Sequence, residues 1–220
     1  MATPHSLHIA IAAKGDGDIW RCVEPLLRDY QHNISLYLHI ATDRDLDPNK
    51  ILTYHPRLLL SEDPELFSSA DAEHKIALQL TRCPDNTSIL KLWGIALANA
   101  KSEYVAVLDC HCPPATQWLL TVISHIEKSP PVFYGSVEPG WALSDRRIVG
   151  YLIEYAQFKS PIDCDSEFPG NNIVFKTTLL GKRDQLVEKG FFKTFMLWQL
   201  RERNNTCLLY TSDAADDAGS

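Results

Sequence analysis

An apolar, β-branched run ends on an acid and passes straight into a turn: Tyr104-Val-Ala-Val-Leu-Asp109-Cys-His111-Cys-Pro-Pro-Ala-Thr-Gln-Trp118. The run predicts a buried strand, and the two prolines stop that strand from continuing. Open α/β sheets bind ligands in the crevice at the carboxyl ends of their strands, which is where Asp109 falls. In extended chain, Asp109 and His111 point to the same side and can hold a divalent cation, Mg²⁺ or Mn²⁺, with phosphate oxygens. The alternative is an Asp that only begins a proline-rich turn.

The composition of the 220-residue chain is that of an ordinary globular protein, with 45% hydrophobic and 22% charged residues. The length favours one domain with a substantial core. A formal net charge of −7 argues against a general nucleic-acid-binding protein, which carries a basic face, but allows a nucleotide held through a metal. No apolar stretch approaches the roughly 20 residues of a membrane span, and no secretory signal is seen. We therefore expect a cytoplasmic protein.

The cysteines do not form a recognisable framework. All six are scattered without a C-x-x-C pair: Cys22, Cys83, Cys110, Cys112, Cys164 and Cys207. Disulfides are not expected in a chain of this kind. Cys110-His111-Cys112 offers zinc ligands, but its spacing is not that of common structural zinc sites and no second ligand pair is visible.

Strand patterns alternate with helix patterns along the chain. The predicted strands cover 7–13, 34–41, 58–60, 104–108, 132–137 and 172–175. The predicted helices cover 19–30, 72–81, 89–100, 116–127, 146–158, 177–188 and 191–203. This alternation is typical of an α/β domain with a central, mostly parallel sheet flanked by helices.

The chain changes character near its end. Residues 211–220 are small and acidic and lack periodicity, which predicts disorder, and the run from Cys207 to Asp216 looks like translated sequencing adapter. We therefore expect one domain over 1–206, with native sequence ending near Thr206 and its C-terminal part missing, and a non-native or disordered tail over 207–220. The alternative is a genuine acidic tail.

Four features occur in an order and spacing that resemble the family 2 glycosyltransferases. They are the end of the first strand at Ala12-Ala13-Lys14, the end of the second at Asp43, Glu103-Tyr-Val-Ala-Val-Leu-Asp109-Cys-His111, and Glu167-Phe-Pro-Gly170-Asn171-Asn172-Ile-Val-Phe175-Lys176. The resemblance covers roughly residues 7–206. It implies a GT-A-type, Rossmann-like single domain and a divalent metal, Mn²⁺ or Mg²⁺. It also implies transfer of a sugar, with inversion, from a UDP- or GDP-sugar to a glycan or lipid-linked acceptor.

The resemblance implies roles for individual residues on the donor side. The nucleotide-sugar would be bound by Ala12, Asp43, Lys91 and Asp109. The metal would be bound by Asp109 and His111. Two of these positions have plainer alternatives, since Asp43 can be a turn acid on the surface and Lys91 a solvated helix lysine.

The acceptor side is implied by the Gly-Asn-Asn loop. Gly170, Asn171 and Asn172 would contact the acceptor, because a tight turn with two amide side chains offers donors and acceptors to hydroxyl-rich ligands. The alternative is ordinary turn chemistry. No membrane span is expected, although association with the inner membrane face would suit a lipid-linked acceptor.

The chain departs from the family pattern at two positions. His111 stands where a second Asp is usual, and imidazole suits Mn²⁺ better than Mg²⁺. Lys193 stands where the family commonly has its acidic base, and a protonated lysine cannot accept a proton. Either Glu188 or Glu167 serves instead, or the chain is a degenerate, non-catalytic nucleotide-sugar-binding module. A nucleotidyltransferase of related α/β fold is a further alternative.

Overall fold

The sheet is the centre of the computed structural model, which describes residues 5–15, 18–30, 34–47, 58–60, 76–140, 145–160, 167–194, 196, 198 and 208–211. Within these residues eight strands form one sheet: β1 (His5–Ala13), β2 (Ile34–Thr42), β3 (Leu58–Leu60), β4 (Ile76–Arg82), β5 (Tyr104–Asp109), β6 (Val132–Gly135), β7 (Asn172–Lys176) and β8 (Leu208–Thr211). Their order is β3-β4-β2-β1-β5-β7-β6-β8. Only β7 runs antiparallel to its neighbours in this set, so the sheet is mostly parallel, as predicted.

Parallel pairing brings three strand ends to one edge of the sheet. Ala12 lies opposite Asp109 in the β1–β5 pair, and Ala13 lies opposite Thr42 in the β1–β2 pair. Asp43 therefore follows β2 at the same edge as Asp109. From β1 the chain leads to β2 on one side and β5 lies on the other, so this edge is a topological switch point, where α/β sheets bind ligands.

Helices cover both faces of the sheet. They are α1 (Trp20–Arg28), α2 (Ile89–Ala98), α3 (Trp118–Ile126), α4 (Asp145–Glu154) and α5 (Arg183–Lys189). Residues of α1 and α3 share one core with Leu7, Ile9 and Ile11 of β1, whereas α2 and α5 share a second core with Ala10 and Ala12. This division follows from the alternation of side chains along a strand. No helix in the described ranges is long and apolar enough to span a bilayer.

One predicted element is wrong. The helix expected over 72–81 is replaced, in the part that the structure describes, by strand β4. Ile76 and Leu78 are buried, and β4 pairs with β2 on one side and β3 on the other. Sheet pairing on both edges outweighs the local helical spacing of the sequence, because strand formation depends on the neighbours more than on intrinsic preference.

Three predicted helices differ in their bounds. The helix predicted over 146–158 is divided into α4, which ends at Glu154, and a 3₁₀ turn, Ala156–Phe158. The second, 177–188, begins as a 3₁₀ turn, Thr177–Leu179, and continues as α5. In the third, 191–203, residues 193, 194, 196 and 198 are helical and residues 199–203 lie outside the described residues.

The C-terminal tail differs from the expectation of disorder at one point. Leu208–Thr211 forms β8, parallel to β6, with Leu208 opposite Val132 and Thr211 opposite Gly135. An extended segment can pair there because the open edge of β6 presents free backbone donors and acceptors. Residues 212–220 lie outside the described residues, and the non-native origin of the tail stays a prediction.

Candidate functional site

A cleft of about 670 Å³ opens at the carboxyl edge of β5. Its walls come from the turn at 109–113, the segment 137–140 after β6, and the C-terminal half of α4 with Tyr155. Asp18, Arg21 and Asn171 complete the lining. A volume of this size lies within the roughly 300–1,000 Å³ of small-molecule sites.

Asp109 and His111 lie together at the floor of this cleft, as the sequence predicts. The Asp109 Oδ1 accepts a hydrogen bond of 2.9 Å from the His111 amide and lies 3.1 Å from His111 Nδ1. The Asp109 carbonyl accepts a hydrogen bond of 2.9 Å from the Cys112 amide, which closes the turn. The Asp109 side chain is 10% exposed and that of His111 is 50% exposed. The turn therefore holds a buried carboxylate and an accessible imidazole in contact.

Cys110 joins this pair, although the sequence analysis considers it only within an atypical Cys110-His111-Cys112 zinc set. Its Sγ lies 3.4 Å from His111 Nδ1, and the ligand atoms of Asp109, Cys110 and His111 all lie within 4.8 Å of one another. Burial and the neighbouring Asp109 carboxylate raise the pKa of the Cys110 thiol to about 12. The sequence indicates this role only by the position of Cys110 between Asp109 and His111, the two expected ligands. A carboxylate, an imidazole and a thiol fit Mn²⁺, Co²⁺ or Zn²⁺ better than Mg²⁺, which prefers six oxygen ligands.

Asp43 holds the turn after β1. Its Oδ1 accepts a hydrogen bond of 3.0 Å from the Gly15 amide, and its Oδ2 lies 3.3 Å from Lys14 Nζ. The Gly15 hydrogen bond, together with Lys14, keeps the pKa of Asp43 below its usual value. Lys14 Nζ also donates to the Thr87 carbonyl at 2.7 Å. Asp43 thus lies on the predicted edge, but it is not part of the cleft lining and both its oxygens have partners.

The structure does not bring Ala12 or Lys91 into the cleft lining. Ala12 is fully buried, and its carbonyl accepts a hydrogen bond of 3.1 Å from the Cys110 amide. Ala12 therefore contributes only backbone atoms to the carboxyl edge of the sheet. Lys91 is exposed in the first turn of α2, where the side chain of Ser88 caps its amide at 3.3 Å. The exposed position fits the alternative of a solvated helix lysine.

The two asparagines of the Gly-Asn-Asn loop have different surroundings. Asn172 accepts a hydrogen bond of 2.9 Å from Trp118 Nε1 and donates one of 2.8 Å to the Ser136 carbonyl, which makes it structural. Asn171 lines the cleft and is 2% exposed, and its Oδ1 has no hydrogen-bond partner among the described residues. A buried acceptor without a partner is rare in proteins, and this one belongs to a residue of the cleft lining.

Gly170 and Lys193 meet beside the same loop. A Cβ at Gly170 would lie 3.5 Å from Lys193 Cδ, which is ordinary contact. Lys193 Nζ donates to the Phe168 carbonyl at 3.0 Å and lies 3.6 Å from Glu167 Oε2. Lys193 therefore lies beside the Gly-Asn-Asn loop, outside the cleft lining, and forms an ion pair with Glu167. Glu188 is exposed on α5 and outside the cleft lining.

Three other carboxylates line the cleft, and the sequence analysis misses them: Asp18, Glu138 and Glu154. The Glu138 Oε1 accepts a hydrogen bond of 2.8 Å from the Ser160 amide. No motif surrounds these residues, because they reach the cleft only in the folded chain: Asp18 from just before α1, Glu138 from the segment after β6 and Glu154 from the end of α4.

Solved structures with this architecture include several of S. aureus TarS. The chain matches TarS 1-349 with a TM-score of 0.55 and 14% identity, over 93% of this chain and 58% of that one. It matches TarS 1-349 in complex with UDP with a TM-score of 0.56 and 12% identity, over 95% and 58%. For the complex with UDP-GlcNAc the TM-score is 0.54 and the identity 13%, over 93% and 56%.

The chain thus spans somewhat more than half the length of these structures. Neither protein-family models nor curated protein sequences match it. At such low identity the likeness establishes the fold alone. The chain has the α/β fold of the GT-A type, which confirms the fold class predicted from its sequence.

Proposed function

We propose that the chain is a glycosyltransferase that binds a UDP- or GDP-sugar in the cleft at the end of β5. It would move the sugar, with inversion, to a glycan or lipid-linked acceptor. The observation that carries the proposal is Asp109, a mostly buried carboxylate at the switch point of the sheet and on the floor of a cleft of about 670 Å³. The fold shared with TarS structures that hold UDP and UDP-GlcNAc supports it.

The site suits a departing nucleoside diphosphate. Breaking the sugar–phosphate bond leaves negative charge on the diphosphate, and a divalent cation at Asp109 and His111 would offset that charge. Arg21 adds a positive side chain to the cleft lining. Asn171 Oδ1 can accept a hydrogen bond from a ligand hydroxyl, which orients the sugar or the acceptor.

Inverting transfer also needs a base for the acceptor hydroxyl. Glu167 is paired with Lys193 and Glu188 lies outside the cleft lining, so neither is well placed. Of the cleft carboxylates, Glu138 is engaged by the Ser160 amide, and Asp18 accepts a hydrogen bond of 3.1 Å from the Trp20 amide. We therefore propose Glu154, which is exposed on the cleft wall, as the group that accepts the proton.

Calorimetry with UDP and Mn²⁺ tests the donor site. Asp109→Asn keeps the size of the side chain and removes its charge, so it should weaken Mn²⁺-dependent UDP binding by at least about 10- to 100-fold, the loss typical of a disturbed metal site. Asp109→Ala should do the same. Glu188→Gln, on the surface of α5, is the control and should bind like the unmodified protein. Binding that survives both Asp109 substitutions would make Asp109 a structural residue and remove the main support for the proposal.

The second candidate is a binding module without transferase activity, which Lys193 at the usual base position favours. A thermal-shift panel of UDP-sugars, GDP-sugars and nucleoside triphosphates, with and without Mn²⁺, identifies the ligand. Stabilisation by triphosphates alone would point to the nucleotidyltransferase alternative. Measuring sugar release then separates enzyme from binder: transfer or hydrolysis that falls in Glu154→Gln but not in Glu188→Gln supports the enzyme.

A further inference from the structure

Three consecutive residues at the end of β5 present three different ligand atoms to one point. Asp109 Oδ1 and His111 Nδ1 are 3.1 Å apart, His111 Nδ1 and Cys110 Sγ are 3.4 Å apart, and all three ligand atoms lie within 4.8 Å of one another. In tetrahedral zinc sites, with bonds of about 2.0–2.3 Å, adjacent ligand atoms lie roughly 3.3–3.7 Å apart. The two separations that involve His111 Nδ1, 3.1 Å and 3.4 Å, lie close to that range.

Cys110 is the thiol that belongs to this set. It is 3% exposed, packs at the edge of the core shared by α1 and α3, and lines the cleft, and its Sγ is 3.8 Å from the Lys14 carbonyl. Cys22 is engaged elsewhere, since its Sγ donates to the Asp109 carbonyl at 3.1 Å. Cys112 lines the same cleft but is not part of the cluster.

We propose that this cluster binds a borderline metal of the Zn²⁺ or Co²⁺ type, with Cys110 as a thiolate ligand beside Asp109 and His111. Metal binding by these three residues does not depend on the proposed function. The role of the metal beside the donor diphosphate does rest on it. With three protein ligands, the metal would keep room for an oxygen of that diphosphate, as in open zinc sites. On binding, the Cys110 thiol gives its proton to solvent and its sulfur bonds the metal. Sulfur and nitrogen ligands select Zn²⁺ and Co²⁺ over Mg²⁺.

Titration of the whole chain with Co²⁺, with and without UDP, tests the proposal by absorption spectroscopy. A near-ultraviolet thiolate-to-cobalt band should grow and saturate at one equivalent. Zn²⁺ should displace it, and excess Mg²⁺ should not. Cys110→Ser should abolish the band and weaken Zn²⁺ binding by roughly 10- to 100-fold, while Cys22→Ser and Cys83→Ser should retain the band.

Cadmium-113 NMR on the unmodified chain provides a measurement that does not depend on a substitution. A chemical shift in the range of sulfur-ligated cadmium is expected. A shift typical of oxygen and nitrogen ligands alone, Co²⁺ binding without the charge-transfer band, a band that persists in Cys110→Ser, or no binding of Co²⁺ at all would each overturn the proposal.

The two proposals fail in different ways. If UDP binds with Mn²⁺ but no thiolate band appears, the donor site stands and the thiolate centre is overturned. If the band appears and no nucleotide-sugar binds, the metal centre stands and the transferase function is overturned.

Discussion

Asn171 and Asn172 are adjacent in sequence, yet the structure gives them opposite energetic roles. Asn172 satisfies Trp118 Nε1 and the Ser136 carbonyl, whereas Asn171 Oδ1 is buried with no partner among the described residues. Asn172→Leu should therefore lower the free energy of unfolding by about 1–3 kcal/mol, because it leaves buried groups unpaired. Asn171→Leu should leave the stability unchanged or raise it, and should weaken nucleotide-sugar or acceptor binding. Urea unfolding and calorimetry measure the two effects, and equal destabilisation by both would show that Asn171 is structural.

His111 is a second single residue with a testable role, because we expect it to set the metal preference of the site. His111→Asp replaces the imidazole by a carboxylate and should shift the ratio of Mg²⁺- to Mn²⁺-dependent UDP affinity toward Mg²⁺ by on the order of tenfold. Calorimetry with each metal measures the ratio. His125→Asn, on α3 and outside the cleft lining, serves as the control and should leave it unchanged. An unchanged ratio in His111→Asp would exclude His111 as a ligand.

Helices α2 and α5 approach each other closely because a glycine lies at their crossing. A Cβ at Gly94 would overlap the Leu186 carbonyl oxygen and lie 2.8 Å from Gly190 Cα. Gly190 itself has a φ of +93°, and the following amide, of Phe191, donates to the Leu90 carbonyl at 2.8 Å. This crossing fixes the segment that leads to Lys193 and so supports one wall near the Gly-Asn-Asn loop.

A pair of glycine substitutions tests the helix crossing. Gly94→Ala should lower the free energy of unfolding by about 1–3 kcal/mol or more, because the packed helices must move apart. Gly150→Ala, in α4, meets nothing within 4 Å and should raise it by up to about 1 kcal/mol through helix propensity. Urea denaturation of both variants measures the difference. Equal effects would mean that α2 and α5 are not in close contact.

The stability of the whole molecule should depend on pH through two buried histidines. His8 Nε2 lies 2.8 Å from the Ala96 carbonyl, and His39 Nε2 lies 2.8 Å from Thr81 Oγ1. Burial lowers the pKa of His8 to about 4 and that of His39 to about 3. Both are therefore neutral in the folded protein across the range in which an unfolded histidine, with a pKa of about 6.5, takes up a proton.

The free energy of unfolding should accordingly be highest above pH 6.5 and fall as the pH drops toward 4, because between these values the unfolded state binds more protons than the folded state. At pH 5 the loss should be on the order of 2 kcal/mol per histidine. Urea midpoints measured from pH 7.5 to 4.5 check this. His8→Leu should reduce the slope by about half, while His5→Gln, at a half-buried position on β1 that pairs with Glu103 at 2.9 Å, should not. A slope that is the same in His8→Leu would show that His8 is not the titrating group.

Periodicity along the chain is enough to place β1, β2 and β5 and to put Asp109 at a strand end, because burial patterns and proline breaks are local properties. Local spacing misplaces β4, since a segment paired on both edges takes the conformation of its neighbours. It also misses Leu208–Thr211, whose pairing depends on the open edge of β6.

Local sequence patterns predict the residues of the site less completely than they predict the strands. Asp109 and His111 are visible in the sequence because the turn after β5 brings them together by itself, and the Gly-Asn-Asn loop is visible as a turn motif, although pairing of β7 with β5 is what places it near them. The roles of Asn171 and Asn172, the engagement of Asp43 by Gly15 and the place of Glu154 on the cleft wall depend on contacts between distant segments. Only the packed tertiary structure determines those contacts, because burial and hydrogen-bond satisfaction are properties of the assembled sheet and helices.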